Sequence, residues 1–251
     1  MADTASENSG RGLYERLGEF HDLFMVEPWE RLRPAIAQAF GQYGADRRIV
    51  DVGAGTGLGV RVLAAETEAR ITALEPSLVM RAALTARVAD SADLSARVTV
   101  LAGSVPDDLN SLPQQVDGFV CANMIGHLRS DERRALFSWL DGNLTDDGAG
   151  LITVQPRSSQ AGATAEASDA ESFEERRTLG DCEYRVVYEQ ATASDQYSTL
   201  YEVRQAGELI RSERYTGPWT AVSAEDLEGE LQGTSLIVQR VGSTAVLLRR
   251  P

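Results

Sequence analysis

The stretch Arg48-Ile-Val-Asp-Val-Gly-Ala-Gly-Thr-Gly57 decides the fold class of this chain. Its first five residues form a short apolar run that is typical of a buried strand, and Leu58–Glu66 has the apolar spacing of a helix. Glycine tolerates unusual dihedral angles and leaves the backbone bare, so a strand that turns through glycines into a helix can bring a ligand against the main chain. The stretch therefore predicts an α/β fold with a binding site at this turn.

Strands and helices continue to alternate after this unit. The predicted strands are Ile71–Leu74, Val98–Leu101, Val116–Ala122 and Ala149–Gln155, and the predicted helices are Ser77–Val88, Asp131–Asn143 and Ser223–Leu231. Ser235–Arg240 and Thr244–Leu248 are predicted to form an antiparallel C-terminal hairpin. Alternation of this kind indicates right-handed crossovers in a parallel sheet. We expect a Rossmann-like, doubly wound sheet of seven mostly parallel strands.

The remaining segments flank this sheet or interrupt it. Residues 1–11 are predicted to be a disordered tail, and residues 12–45 an N-terminal helical cap of two helices separated at Pro28. The main domain covers residues 46–251. Within it, residues 157–171 are expected to be a mobile loop, and a β-rich insert at about 181–220 contains three antiparallel strands, Tyr184–Glu189, Gln196–Arg204 and Glu208–Tyr215.

The spacing of the glycines selects the class of ligand. The dinucleotide fingerprint needs Gly-x-Gly-x-x-Gly, but counting from Gly53 the sixth position is Leu58, and counting from Gly55 it is Val60. An acidic residue, Asp51, also precedes the glycines, and its negative charge favours a cationic ligand over a pyrophosphate. The turn is therefore not a typical dinucleotide site.

The pattern Asp51-x-Gly53-x-Gly55-x-Gly57 resembles the first motif of class I S-adenosylmethionine-dependent methyltransferases. The resemblance covers about residues 47–156, with Pro156 just after the fifth strand, and the segments Leu74–Met80 and Asn123–Leu128 look most like bacterial small-molecule methyltransferases that tailor natural products. It implies that S-adenosyl-L-methionine is the cofactor and that a nitrogen or oxygen atom of a small-molecule acceptor is methylated.

The resemblance also implies a set of cofactor-binding residues. Glu75 follows the second strand, where an acidic side chain can accept hydrogen bonds from both ribose hydroxyls; the alternative is a solvated side chain at the start of a helix. Ser104 stands where family members often have an acidic residue for the adenine amino group, so this contact departs from the pattern. The expected set is Tyr14, Asp51, Gly53, Ala54, Gly55, Gly57, Glu75, Pro76, Gly103, Ser104, Val105 and Asn123.

Two histidines are the candidate catalytic residues. Methyl transfer from a sulfonium needs an aligned, deprotonated acceptor more than it needs a base, but histidine titrates in a useful range. His127 follows the fourth strand, at the edge where parallel sheets bind ligands, and His21 shares a helical face with Tyr14. The alternative for each is a packing role. Aromatic residues of the insert, such as Tyr197, Tyr201 and Trp219, are expected to roof an acceptor pocket or to be a buried strand face.

Composition restricts the partners and the compartment. With 24 basic and 38 acidic residues the net charge is −14, which disfavours nucleic acid. No apolar run approaches the roughly 18 residues of a membrane span, and Cys121 and Cys182, expected as buried thiols, lack metal-ligand spacing. We expect a cytoplasmic protein without a metal. A homodimer through an edge strand of the insert stays open, as do a fold relative that catalyses another reaction and a non-catalytic partner subunit.

Overall fold

The computed structural model describes residues 10–155, 172–189 and 196–251. The predicted tail, except for its last two residues, and the predicted loop 157–171 lie outside the described residues, as does Pro156. The described helices are α1 Gly10–Phe40, α2 Leu58–Glu66, α3 Leu78–Ala89, α4 Ala92–Arg97, α5 Ser130–Asn143 and α6 Ala224–Glu230. The described strands are β1 Arg48–Val52, β2 Arg70–Glu75, β3 Val98–Ala102, β4 Val116–Cys121, β5 Leu144–Thr153, β6 Ser172–Leu179, β7 Cys182–Glu189, β8 Gln196–Gln205, β9 Glu208–Pro218, β10 Ile237–Val241 and β11 Ala245–Arg249.

Seven strands form the main sheet, in the order β10-β11-β5-β4-β1-β2-β3. The five strands β1 to β5 pair in parallel, and β11 pairs antiparallel with both β5 and β10. The predicted Rossmann-like sheet with an antiparallel C-terminal hairpin is therefore confirmed. The strand order reverses at β1 and β4, which is the place where open parallel sheets bind ligands at their carboxyl edge.

Each face of this sheet is covered by its own apolar core. One core joins α1, α2 and α3 to the sheet through residues such as Ile36, Phe40 and Leu63. The other joins α5 and α6 to the opposite face through residues such as Phe119 and Phe137. The sheet is thus buried on both sides, as the continuous apolar runs of its strands require.

The N-terminal cap differs from its prediction, because α1 is one helix of 31 residues and not two. Proline removes one backbone donor from a helix interior and is therefore read from sequence as a helix end. Here α1 continues through Pro28 and Pro34, with Phe20 and Phe24 buried before Pro28 and Ile36 and Phe40 buried after it. Packing along the full helix outweighs the cost of the two prolines.

The β-rich insert is also larger than predicted. The three expected strands are present as β7, β8 and β9, and β6 adds a fourth, so the prediction of three was wrong. Arg176 and Arg177 lie in β6 opposite β7, and Arg177 binds Glu27 on α1. A third apolar cluster, including Leu17, Phe20 and Val203, attaches this four-stranded sheet to the first half of α1.

Other expectations from composition concern cysteines, membranes and metals. Both cysteines are free; Cys121 is buried as expected, whereas Cys182 is only half-buried. None of the described helices combines the length and the apolar character of a membrane span. Within residues 10–155, 172–189 and 196–251, no cluster of side chains has the composition of a metal site.

Candidate active site

A cavity of about 1280 Å³ lies between the carboxyl edge of the main sheet and a roof made by α1 and the four-stranded sheet. Single-ligand pockets are roughly 300–1,000 Å³, so this cavity has room for two molecules. Twelve of the fourteen predicted site residues line it: Tyr14, His21, Gly53, Ala54, Gly55, Glu75, Pro76, Gly103, Ser104, Val105, Asn123 and His127. Asp51 and Gly57 are not in its wall.

The three motif glycines have different roles. All three have positive φ, at 68° for Gly53, 57° for Gly55 and 85° for Gly57. A Cβ on Gly53 or Gly55 would point toward Met124 or His21, both on the cavity wall, whereas a Cβ on Gly57 would lie 2.5 Å from Leu84 of α3. Gly53 and Gly55 therefore leave room for a ligand, and Gly57 permits helix packing.

Glu75, at the end of β2, holds the glycine turn in place. Its Oε2 accepts a hydrogen bond of 2.8 Å from the backbone N–H of Gly55, and its Oε1 accepts one of 2.7 Å from the backbone N–H of Ser77. Burial raises the pKa of Glu75 in spite of these bonds. Each oxygen keeps a further acceptor position, so the carboxylate can also receive hydroxyl donors from a ligand.

Asp51 lies below the cavity wall, in β1. It is 1% exposed, and its Oδ2 has no hydrogen-bond partner. Burial, followed by the nearby charge of Glu75, raises the pKa of Asp51 to about 8. The negative charge that the motif was expected to supply is thus strongly disfavoured unless a cation approaches.

The end of β3 contributes a loop that Asp108 fixes. Asp108 Oδ2 accepts a hydrogen bond of 2.8 Å from the backbone N–H of Ser104, and a Cβ on Gly103 would lie 2.9 Å from Asp108 Cβ. Sequence reasoning had missed Asp108, whose only sequence signal is a carboxylate four residues after Ser104. Ser104 and Val105 line the cavity, and Asp108 does not.

His127 and Tyr14 meet across the cavity although 113 residues separate them. The Tyr14 hydroxyl and His127 Nε2 share a hydrogen bond of 3.0 Å, while His127 Nδ1 is buried without a partner. Burial lowers the pKa of His127 to about 4, so the ring is neutral at physiological pH. The ring of Trp219 packs edge-on against His127 at 4.8 Å between centroids. The pair therefore presents uncharged polar groups to the cavity.

His21 lies over the glycine turn, at the other end of the cavity wall. Its Nδ1 is 3.2 Å from Asp22 Oδ1 and 3.3 Å from Thr56 Oγ1. Burial alone would raise the pKa of Asp22, but hydrogen bonds from His21, Thr56 and Arg87 hold it well below its usual range. This ionised carboxylate ties α1 to the glycine turn and, through Arg87, to α3. Neither Asp22 nor Arg87 was among the site residues expected from the sequence.

Comparison with known proteins agrees with this geometry. Residues 49–148, which include the glycine turn, Glu75 and His127, match a family described as a methyltransferase domain. This part of the chain is therefore similar to a methyltransferase domain. The predictions of a methyltransferase and of S-adenosylmethionine as its cofactor are confirmed. No curated protein sequence matches the chain.

Solved structures share the fold of this methyltransferase at low sequence identity. CalS10, an amino pentose methyltransferase from Micromonospora echinaspora, is 16% identical with a TM-score of 0.69, over 95% of this chain and 97% of its own. DesVI from Streptomyces venezuelae is 13% identical with a TM-score of 0.68, over 100% of both chains. The sugar N-methyltransferase KedS8 from Streptoalloteichus sp ATCC 53650 is 17% identical with a TM-score of 0.63, over 100% of this chain and 96% of its own.

The part of the methyltransferase cavity farthest from the glycine turn is aromatic. Tyr197 and Tyr201 from β8 line it together with Trp219, and Trp219 contacts both His127 and Tyr197. Tyr201 is fixed from behind by Phe20 of α1, at 5.0 Å between ring centroids. Tyr197, Tyr201 and Trp219 therefore form a roof over this part of the cavity, whereas Tyr215 belongs to a buried strand face. We call this part, with Tyr14 and His127, the acceptor end, and the part at Gly53, Gly55 and Glu75 the donor end.

Proposed function

We propose that this methyltransferase methylates a nitrogen or oxygen atom of a small molecule bound at the acceptor end. The observation that carries the proposal is a single cavity with a glycine and carboxylate turn at one end and the Tyr14–His127 pair under an aromatic roof at the other. The structural neighbours described as amino pentose and sugar N-methyltransferases favour nitrogen as the methylated atom.

The donor end has the chemistry that S-adenosylmethionine requires. Gly53 and Gly55 leave open the space that a Cβ would fill, and the free acceptor positions of Glu75 suit the two ribose hydroxyls. Ser104 and Val105 would lie along the adenine. When bound, S-adenosylmethionine supplies an electrophilic methyl group on a positively charged sulfur.

At the acceptor end, we assign the Tyr14 hydroxyl to the substrate and His127 to positioning. Nε2 of His127 is engaged by Tyr14 and Nδ1 is buried, so the acceptor meets the phenol oxygen before it meets the imidazole. A ring whose pKa is about 4 is also a weak base. His127 thereby orients Tyr14, which in turn aligns the acceptor atom, and alignment is a large part of catalysis in a displacement reaction.

We place His21 at the donor end, where it does not take part in proton transfer. A Cβ on Gly55 would lie 3.4 Å from Cε1 and Nε2 of the His21 ring, and Asp22 and Thr56 contact Nδ1 on the other side of that ring. In this position it covers the glycine turn and shields a bound donor from water. Residues 12–45 and the four-stranded sheet would then act as a cap on the domain formed by the rest of residues 46–251.

The proposal also covers the cellular compartment of the enzyme and its binding partners. A net charge of −14 supports a small-molecule acceptor over nucleic acid, and two free cysteines suit a reducing cytoplasm. The exposed edge strands of the four-stranded sheet are the surface through which a homodimer would form.

Two measurements on the purified protein test the proposal. Calorimetry should detect binding of S-adenosylmethionine and no binding of NAD or NADP, because the glycine spacing does not match the dinucleotide fingerprint. Incubation with methyl-labelled donor and a panel of amines, phenols and carboxylic acids should then transfer label to at least one amine or hydroxyl compound. Tight NAD binding without a response to S-adenosylmethionine contradicts the donor assignment, and donor binding without any labelled product contradicts the transfer.

A further inference from the structure

The groups that surround the acceptor end are polar but uncharged. Burial raises the pKa of Tyr14 and of Tyr197 far above the usual tyrosine range and raises that of Tyr201 to about 12. His127 is neutral for the same reason. Trp219 adds an aromatic face and one N–H donor. A ligand in this space meets hydroxyls and rings, with no fixed charge.

The ionic side chains of the described cavity wall lie elsewhere. Glu75 and His21 belong to the donor end and have partners there. Arg31 is the one arginine in the described wall, but its side chain is 71% exposed and lies 3.8 Å from Glu27, so it sits at the open edge. Among the described residues, no cation therefore faces the roof formed by Tyr197, Tyr201 and Trp219.

We propose that the acceptor is an amine that carries no phosphate or carboxylate group near the reacting nitrogen. A buried anion without a paired cation loses its hydration and gains nothing in return. Aromatic faces, in contrast, attract the positive charge that moves from sulfur to nitrogen during transfer. The roof thus accepts a neutral or cationic acceptor and rejects an anionic one. This inference rests on the proposed function and adds the substrate class.

Matched pairs of acceptors test the inference. D-glucosamine is compared with glucosamine 1-phosphate, and tyramine with tyrosine, so that within each set only an anionic group is added. Calorimetry on the protein saturated with S-adenosylhomocysteine gives each affinity, and labelled S-adenosylmethionine gives each rate. We expect the anion-free member of at least one set to bind at least about tenfold more tightly than its anionic partner and to be the better substrate.

Two variants separate the roof from the open edge. Arg31→Gln should leave the discrimination unchanged, because Arg31 is exposed and beside Glu27. Tyr188→Arg adds a guanidinium at the rim of the cavity, where Tyr188 is 37% exposed, and should improve binding of the phosphorylated member by about tenfold or more.

The outcomes distinguish this inference from the proposed function. Equal or tighter binding of the anionic members overturns the inference, and loss of that binding in Arg31→Gln would show that Arg31 takes the anion. If the anionic members bind equally well or more tightly and methyl transfer still occurs, the proposed function is not affected. Donor binding without binding or methylation of any amine in the sets overturns the inference, and failure with the wider panel of amines, phenols and acids overturns the proposed function as well.

Discussion

The two ends of the cavity are built in different ways. The donor end uses backbone and short-range contacts: Glu75 reaches Gly55, 20 residues away, and Ser77, two residues away. The acceptor end uses side chains from distant segments, such as Tyr14 and His127, which are 113 residues apart. A donor common to many enzymes can be held by a compact local motif, whereas an acceptor particular to one enzyme is bound by whatever the cap brings over the sheet. Substitutions at the donor end should therefore mainly weaken donor binding, whereas substitutions at the acceptor end should mainly lower turnover.

The largest expected effect is loss of donor binding in Gly55→Val. The new side chain would occupy the space between the turn and His21 and would force a β-branched residue into φ 57°, a region that such residues rarely adopt. Calorimetry with S-adenosylmethionine should detect no binding by the protein that remains folded.

Gly57→Ala is the matched control. Its Cβ would meet Leu84, outside the cavity, so it should lower the melting temperature and leave the donor affinity of the folded fraction close to that of wild type. If Gly57→Ala lost donor binding without a loss of stability, or if Gly55→Val still bound the donor, the roles assigned to these two glycines would be wrong.

The acceptor end should show the opposite signature in His127→Ala. Turnover should fall by about 10²-fold with donor affinity nearly unchanged, because the Tyr14 hydroxyl loses the hydrogen-bond partner that orients it. Tyr14→Phe should cause a similar loss, and the double variant should be little worse than either, since the two residues act as a unit.

The pH dependence sharpens this second prediction. With the pKa of His127 at about 4, the ring does not titrate between pH 6 and 9, so the wild-type rate should follow the protonation of the acceptor amine over that range. If the wild-type rate rose between pH 6 and 7 with every acceptor, and if this rise were absent in His127→Ala, His127 would be the catalytic base. A lower melting temperature with unchanged turnover in His127→Ala would make it a packing residue.

The same division explains what the sequence could predict. The alternation of strands and helices and the spacing around Gly53 were enough for the sheet, the donor and most of the donor end, because these depend on local pattern. The packing of α1 determines the Tyr14–His127 contact, the Asp22–Arg87 ion pair and the position of Trp219 in the roof. The sequence predicts a helix end in α1 at Pro28, because local propensity favours one there, and the structure shows a continuous helix. β6 was missed because its run of charged residues looks solvated in sequence, whereas Arg176 in fact pairs with Glu174 within the strand and with Glu183 on β7.

A smaller effect is expected for Glu75. Glu75→Ala should weaken donor binding by about 1.5–3 kcal/mol, the scale of hydrogen bonds to a charged group. The structure adds a cost in stability, because the backbone N–H groups of Gly55 and Ser77 lose their acceptor. Glu75→Gln keeps the side-chain volume and one acceptor oxygen, so it should lose less stability than Glu75→Ala. Unchanged donor affinity in both variants would reduce Glu75 to a residue that only fixes the turn.

The last prediction concerns how stability depends on pH in Asp51→Asn. The folded-state pKa of Asp51 is raised to about 8, above its unfolded value near 3.9, so the folded protein binds the extra proton between these two values. Stability contributed by the protonated form is present below about pH 4 and is lost as the pH rises toward 8. Compared with Asp51→Asn, wild type should therefore lose up to about 1.4 kcal/mol of unfolding free energy per pH unit between pH 5 and 8, and the two curves should become parallel above pH 8.

Saturating S-adenosylmethionine should reduce the wild-type slope, since a nearby cation favours the ionised carboxylate, and should have little effect on the slope of the variant. Denaturant unfolding of both proteins at pH 5, 6, 7 and 8, with and without the donor, measures all four slopes. Identical slopes in wild type and variant would mean that Asp51 is already ionised in the free protein, and a donor that leaves the wild-type slope unchanged would mean that its charge does not reach Asp51 from the donor end.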